Sequence, residues 1–430
     1  MIEKINDTEL SARITLNKDR LTTGDKYQLD ALLRSIGSYS WKGDMEGRAL
    51  LAFMSHYKID GSIIPCMNEL YEVFEEKTCG RLYFVENADL NGLVSEQQLA
   101  GHSWLLRGLC EHYECFGDEL SLRAVKAVFE GLYLPLKDKI AGYPIERNKS
   151  EEGGVSGSHG VLVDGWVLST DTGTFFMSID GLSHAYAVTG DERIKDFLDR
   201  MLCVFNKIDK VGLRMQTHCT LTAARGMLRL YGLTGDNTYL EGAKAVYDIY
   251  VDSGMTYTYQ NINWWGRHDS WTEPCAIVDS LMVALELYKV TGEEHYRQMA
   301  ARIFANGFAT LQRDNGGAGT DTVVTSEGES VLAAKMYEAW FCCTMRLAEG
   351  LWYAQKNREL LYCESFGTPK KDARGVYMDG DIVYACVSGE AEKYVEKTVC
   401  VDGIKLSPIV KYYKLPKEAI MQSKQQIIFK

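Results

Sequence analysis

No block of Lys and Arg longer than a few residues occurs in this 430-residue sequence, where 47 basic residues stand against 59 acidic ones for a net charge of −12. A surface that tracks phosphates needs clustered cations, so nucleic acid is not the expected partner. Long apolar runs are just as scarce. None approaches the ~18 residues of a membrane helix, and no membrane partner is expected. The opening MIEKINDTEL has neither the basic stretch nor the apolar stretch of a signal peptide, so the chain reads as cytoplasmic. Paired CxxC motifs, which would announce a zinc fold, are missing too. In a reducing compartment most of the twelve cysteines read as free core thiols, with a few left over for metal.

What the sequence does have is 46% hydrophobic and 11% aromatic content, ample for a buried core, and a repeated phrase. A helical apolar stretch ends in a glycine turn and a second amphipathic helix follows, at YKIDG (Gly61), CFGDE (Gly117), VTGDE (Gly190), LTGDN (Gly235) and VTGEE (Gly292). Each glycine reads as a helix C-cap and the acid after it as the start of the next helix. Second helices are expected over 121–133, 192–205, 239–250 and 295–311. Counting back about 15 to 17 residues from each glycine reaches Asp44, His102, Thr172 and Gly173, His218 and Cys275. A sixth first helix, 342–355, begins with Cys342 and Cys343. Tandem helical hairpins predict a mainly α fold, an (α/α)6 barrel over 1–358 with the helix starts at one end. Residues 359–430 turn to short alternating runs and predict a small β segment, part of a sandwich.

WTEPCAIVD joins an acid and a thiol to one helix start. Pro274 suits a first turn, Thr272 or Ser270 is the expected N-cap, and free amides with the helix dipole favour a Cys275 thiolate. Cys275, Cys342 and Cys343 make most of a tetrahedral zinc site, with one position left for oxygen or nitrogen; buried core thiols are the competing reading. Glu273 is a candidate proton carrier or an ordinary helix-start carboxylate. His102 and His218 are sugar contacts or helix caps. Trp41, Asp44 and Glu46 in WKGDMEGR, and Asp171 in STDTGTF, can stack on or hydrogen-bond a sugar, or form a solvated face and a cap. His184 and His295 read as structural.

At AGHSWLLRGL, THCTLTAARGMLRLYGLTGD, WTEPCA and FCCTMRLAEGL, between about Trp41 and Gln355, the chain resembles glycoside hydrolase family 127, the β-L-arabinofuranosidase clan. The resemblance implies retaining hydrolysis of a small carbohydrate, with Glu273 as acid/base, Cys342 as nucleophile and zinc on Cys275, Cys342 and Cys343. It implies His102 and His218 in the sugar pocket. The loop before WTEPC departs from the family's pattern: residues 254–272 hold no glutamate to complete a zinc site, so Asp269, His268 or water is the remaining ligand, and Trp265 and His268 in NWWGRHDSW join the sugar contacts. Thr344, Met345 and Arg346 depart as well, so the sugar need not be arabinofuranose. Two alternatives stay open. One is another (α/α)6 sugar enzyme, such as an epimerase or an unsaturated-uronide hydrolase; the other is a non-catalytic sugar-binding protein with an incomplete metal site. Whether the chain forms a homo-oligomer also stays open.

Overall fold

A computed structural model describes residues 2–3, 7–85, 92–146, 160–169, 171–256, 259–267, 270–308, 311–322, 333–361, 363–364, 399–401, 404–406 and 427–429. The helices are α1 (Asp7–Thr23), α2 (Asp44–Asp60), α3 (Pro65–Lys77), α4 (Glu96–Phe116), α5 (Glu119–Val128), α6 (Ser178–Thr189), α7 (Glu192–Phe205), α8 (Thr217–Thr234), α9 (Asn237–Ile249), α10 (Pro274–Thr291), α11 (Glu294–Ile303) and α12 (Cys343–Lys356). No helix among the described residues is long and apolar enough to cross a membrane. The chain divides into two compact units, residues 19–247, and residues 1–18 with 248–430.

The hairpin turns have one local chemistry. Gly61, Gly117, Gly190, Gly235 and Gly292 are all left-handed C-caps, and each donates its N–H to the carbonyl of a tyrosine four residues earlier. Only glycine takes that conformation without strain. In the three TG(D/E) turns the threonine hydroxyl donates to the carbonyl four residues back, 2.7 to 2.8 Å away, and accepts the amide of the following acid. Asp118 and Asp191 then cap α5 and α7 through their carboxylates.

In the unit of residues 19–247, α2 packs on α4, α4 on α6, and α6 on α8. Glycines set the spacing. A Cβ at Gly47 would stand 2.2 Å from Leu105 N, one at Gly181 2.5 Å from Ser103 O, and one at Gly226 2.6 Å from Ile179 O. The core is Leu, Met, Phe and Trp from these faces, with Trp104 fully buried. In the other unit α10 packs on α11 and α12. There α1 is tied to the approach to α12, because Asn17 Nδ2 donates to Gly316 O at 3.0 Å and Thr344 O at 3.2 Å.

The second helices expected to run to 133, 250 and 311 stop earlier as α-helix. Each passes into a π turn, Phe129–Tyr133, Tyr250–Gly254 and Phe304–Phe308. Residues 359–430 lie mostly outside the described residues. Val399–Val401 pairs antiparallel with both Ile404–Leu406 and Ile427–Phe429.

Candidate functional site

The start of α10 differs from the sequence expectation in its cap. Thr272 is not free to cap, because its N–H donates to Asp321 O at 2.7 Å and its hydroxyl accepts Asp321 N–H at 2.9 Å. Ser270 Oγ is taken by the Asn263 amide at 2.9 Å. Glu273 is therefore the N-cap, Pro274 the first helical residue, and the Glu273 N–H donates to Asn261 Oδ1 at 2.9 Å. The strand Thr320–Thr322, paired with Ala333–Met336, thus fixes the residue next to Glu273. The same region anchors α12: Thr344 Oγ1 accepts the Ala318 amide at 3.0 Å and donates to Glu338 at 3.2 Å.

These anchors bring four donor groups together. The Cys275 and Cys343 sulfurs lie 3.6 Å apart, and those of Cys342 and Cys343 3.2 Å. Glu273 Oε1 stands 3.1 Å from Cys343 Sγ and 3.9 Å from Cys342 Sγ. All four ligand atoms lie within 4.8 Å of one another. A tetrahedral zinc with metal–sulfur bonds near 2.3 Å requires sulfurs about 3.8 Å apart and oxygen–sulfur spacings near 3.5 Å. The donor types suit such an ion, with Glu273 as the fourth donor, and the spacings depart from the ideal by about 0.2 to 0.6 Å, most at the Cys342–Cys343 pair. Asp269 and His268, read from sequence for that position, lie outside the described residues.

Cys275 and Cys343 are fully buried, while Cys342 and Glu273 are half-buried. The hydrogen bond with Cys275, together with burial, pushes the Cys342 thiol well above its ordinary range; burial and then the neighbouring thiols do the same to Cys343. Crowded acids of this kind stay protonated or take a cation.

In the unit of residues 19–247, other expected site residues form an array across three helices. Asp44 Oδ1 accepts from Arg48 Nε at 2.7 Å, the Arg48 guanidinium lies 4.1 Å from the Trp104 ring centroid, and Trp104 stacks on His218 at 5.7 Å. Arg48 and Trp104 escaped the sequence reading. The Asp44 to Arg48 spacing of one helical turn was the available signal.

His102 and Glu46 look inward instead. His102 Nε2 accepts the Phe84 amide at 3.0 Å, which makes Nδ1 the protonated nitrogen donating to Gln98 O at 2.9 Å. Burial brings its pKa down to about 4. Its place is the second turn of α4, since that helix starts at Glu96. Glu46 accepts Ser35 N–H at 2.8 Å and lies 2.7 Å from Ser35 Oγ; burial pushes its pKa up to about 7. Asp171 is buried, Trp41 is half-buried, and Trp265 is fully buried edge-on to Tyr250. His184 is enclosed between Arg107 and Glu114, and His295 is exposed.

No protein-family model and no curated protein matches the sequence. Solved structures do. A GH127 β-L-arabinofuranosidase from Geobacillus stearothermophilus T6 superposes with a TM-score of 0.54 at 10% identity, over 83% of this chain and 65% of that one. A second GH127 β-arabinofuranosidase gives 0.51 at 13% identity, over 82% of this chain and 60% of that one. The cellobiose 2-epimerase from Bacillus thermoamylovorans B4167 gives 0.50 at 13% identity, over 81% of this chain and 97% of that one. This chain thus spans about three fifths of the arabinofuranosidases' length. Likeness at such identities shows the fold: the protein is mainly α, built of helical hairpins in the (α/α)6 manner of these carbohydrate enzymes.

Proposed function

We propose that the protein is a carbohydrate-active enzyme, a retaining glycoside hydrolase with Cys342 as nucleophile. Its substrate is a small oligosaccharide or glycoside, β-L-arabinofuranosides being the first to test. The observation that carries this reading is the group of Glu273, Cys275, Cys342 and Cys343 at two helix starts. Single buried thiols pack as small apolar groups, but three of them converging on one carboxylate are acids whose ionisation a bound cation would favour. As a donor set they suit zinc.

The chemistry a bound zinc supplies is positive charge that keeps these thiols deprotonated at neutral pH. Cys342 is the half-buried thiol of the three and so the one a substrate can reach. Its thiolate forms a bond to the anomeric carbon as the glycosidic C–O bond breaks and the leaving oxygen takes a proton. Where Glu273 is the proton carrier, its carboxyl supplies that proton and recovers one from water in the second step. Water, losing a proton to a base, then forms the new C–O bond as the C–S bond breaks. Two inversions retain configuration. Glu273 has two claims on it, metal donor and proton carrier, and they compete, because a carboxylate beside a dication is held ionised. The 3.1 Å approach of Oε1 to Cys343 favours the donor role.

A second reading is a sugar epimerase, favoured by the 97% of the epimerase chain that this chain covers. That reading gives the thiols no work. Metal analysis of the parent chain and of Cys342→Ser, with an aryl-glycoside panel and cellobiose, separates the two. The expected result is about one zinc per chain and glycosidase activity abolished in the variant. A metal-free parent, or a fully active variant, rules out the thiolate mechanism. Glu273→Gln sorts the carboxylate's roles: metal loss marks a donor, whereas retained metal with slowed turnover, least slowed for good leaving groups, marks a proton carrier.

A further inference from the structure

One helical turn behind the thiols lies a group that neither metal binding nor the sugar chemistry uses. Arg346 is paired through Nη2 with Asp279 and through Nη1 with Glu349. The side chains of Arg346 and Asp279 are 0% exposed and that of Glu349 is 1%. Taking three charges out of water is costly, and replacing such a triad with apolar side chains of similar volume is often neutral or stabilising. Stability alone is therefore a poor reason for it.

Its position suggests a better one. Asp279 follows Cys275 by four residues on α10, and Arg346 follows Cys343 by three on α12, both spacings of about one turn. Residues three or four apart share a helix face, so the triad joins the same two faces that carry the thiols, one turn deeper. Further along, the two helices meet closely at a glycine, and Lys289 lies 5.0 Å from the Tyr353 ring centroid. A Cβ at Gly350 would stand 3.0 Å from Val278 Cγ2 and 2.6 Å from Phe308 Cε2. Hydrogen bonds of Thr272 and Thr344 to the segment 318–321 hold the two helix starts, and an ion pair between the helices themselves adds a direct, directional link where one residue of slip would move a side chain by about 1.5 Å. Metal–ligand bonds hold to within about 0.2 Å, so thiols carried on two helices need those helices in one register. A planar guanidinium held by two carboxylates has one geometry.

We propose that the Asp279–Arg346–Glu349 triad is a positioning device for the metal centre. It fixes the axial register of α10 against α12 and so holds Cys275 and Cys343 at the spacing a tetrahedral metal needs. The inference rests on the metal-binding reading above.

The test replaces the triad as a whole, Asp279→Leu with Arg346→Met and Glu349→Leu, in the full chain. It reads two quantities, the thermal midpoint of the metal-free protein and zinc affinity by competition with a chromophoric chelator. The expected result is a metal-free midpoint equal to or above the parent's, with zinc bound about 10- to 100-fold more weakly. Unchanged zinc affinity overturns the proposal. A fall in the midpoint that accompanies the loss of affinity assigns the triad to plain stability and overturns it too. Should the triple variant fail to fold, Arg346→Lys carries the test: it keeps the charge and loses the planar fork, so weaker zinc binding in the folded variant supports the device and parent-like binding sinks it. A parent chain that binds no zinc removes the metal reading itself, and that outcome is read on the parent alone.

Discussion

Glu46 illustrates how one buried carboxyl ties stability to pH. Its folded pKa is about 7 against an ordinary 4.5, because burial disfavours the anion more than the Ser35 hydrogen bonds favour it. Its contribution is therefore fully present below pH 4.5 and is lost as pH rises through 7. The amount is on the order of 3 kcal/mol. Glutamine mimics the protonated acid, accepting from Ser35 N–H and donating to Ser35 Oγ. Urea unfolding at pH 5 and pH 8 should show Glu46→Gln gaining on the parent by roughly that amount at the higher pH; parallel curves at both pH values would argue against a buried acid. His102 gives the complementary case. Both ring nitrogens serve the protein, so His102→Phe strands the Phe84 amide and removes one of the bonds to the Gln98 carbonyl, and should cost about 1 to 3 kcal/mol in denaturant unfolding. A sugar contact would leave stability unchanged and weaken binding. Sequence could not separate these roles, because a histidine or glutamate near a helix start serves a ligand and a neighbouring backbone amide equally well.

At the scale of elements, the turns and four of the six inner helix starts were legible, near Asp44, His218, Cys275 and Cys342, whereas the starts expected at His102 and at Thr172 to Gly173, and the N-cap of α10, were not. A TG(D/E) phrase contains its own hydrogen bonds, hydroxyl to carbonyl and amide to hydroxyl, so sequence suffices to place Gly190, Gly235 and Gly292. The N-cap of α10 depends on Asp321, a residue distant in sequence that takes both polar groups of Thr272, and nothing local announces that. The early start of α4 has a local cause visible only in hindsight: Ser95 accepts the Gln98 N–H and opens the helix at Glu96, so that the expected histidine falls in the second turn. Close helix contact is a second element-scale property. Gly47→Ala puts a methyl 2.2 Å from the Leu105 amide, and backbone cannot yield as a side chain does. We expect a loss of about 3 kcal/mol or more, against a much smaller effect for Gly232→Ala, whose Cβ would meet nothing within 4 Å. Equal effects in thermal unfolding would remove the close-packing argument.

For the whole molecule, the distribution of the metal donors decides what metal removal should do. Glu273, Cys275, Cys342 and Cys343 all belong to the unit of residues 1–18 and 248–430, and none to residues 19–247. The sequence grouped the three cysteines through the counting of helix starts and through the family resemblance, but read Glu273 as acid/base and not as a donor, although it lies beside Cys343, 70 positions on. A ligand that binds only the folded form stabilises it by about 4 kcal/mol at a thousand times its dissociation constant. The four donors join the start of α10 to the start of α12, so that stabilisation should be lost first where those helices meet. Hydrogen exchange after treatment with a strong chelator should accelerate at the amides of α10 and α12 and leave α4, α6 and α8 close to their original protection. Newly reactive thiols should appear at the same time, beyond those that react in either state, which among the described residues include the exposed Cys79 and Cys203. Uniform acceleration across both units would show that the chain opens as one cooperative body, and unchanged exchange with unchanged thiol reactivity would show that no metal was there to remove.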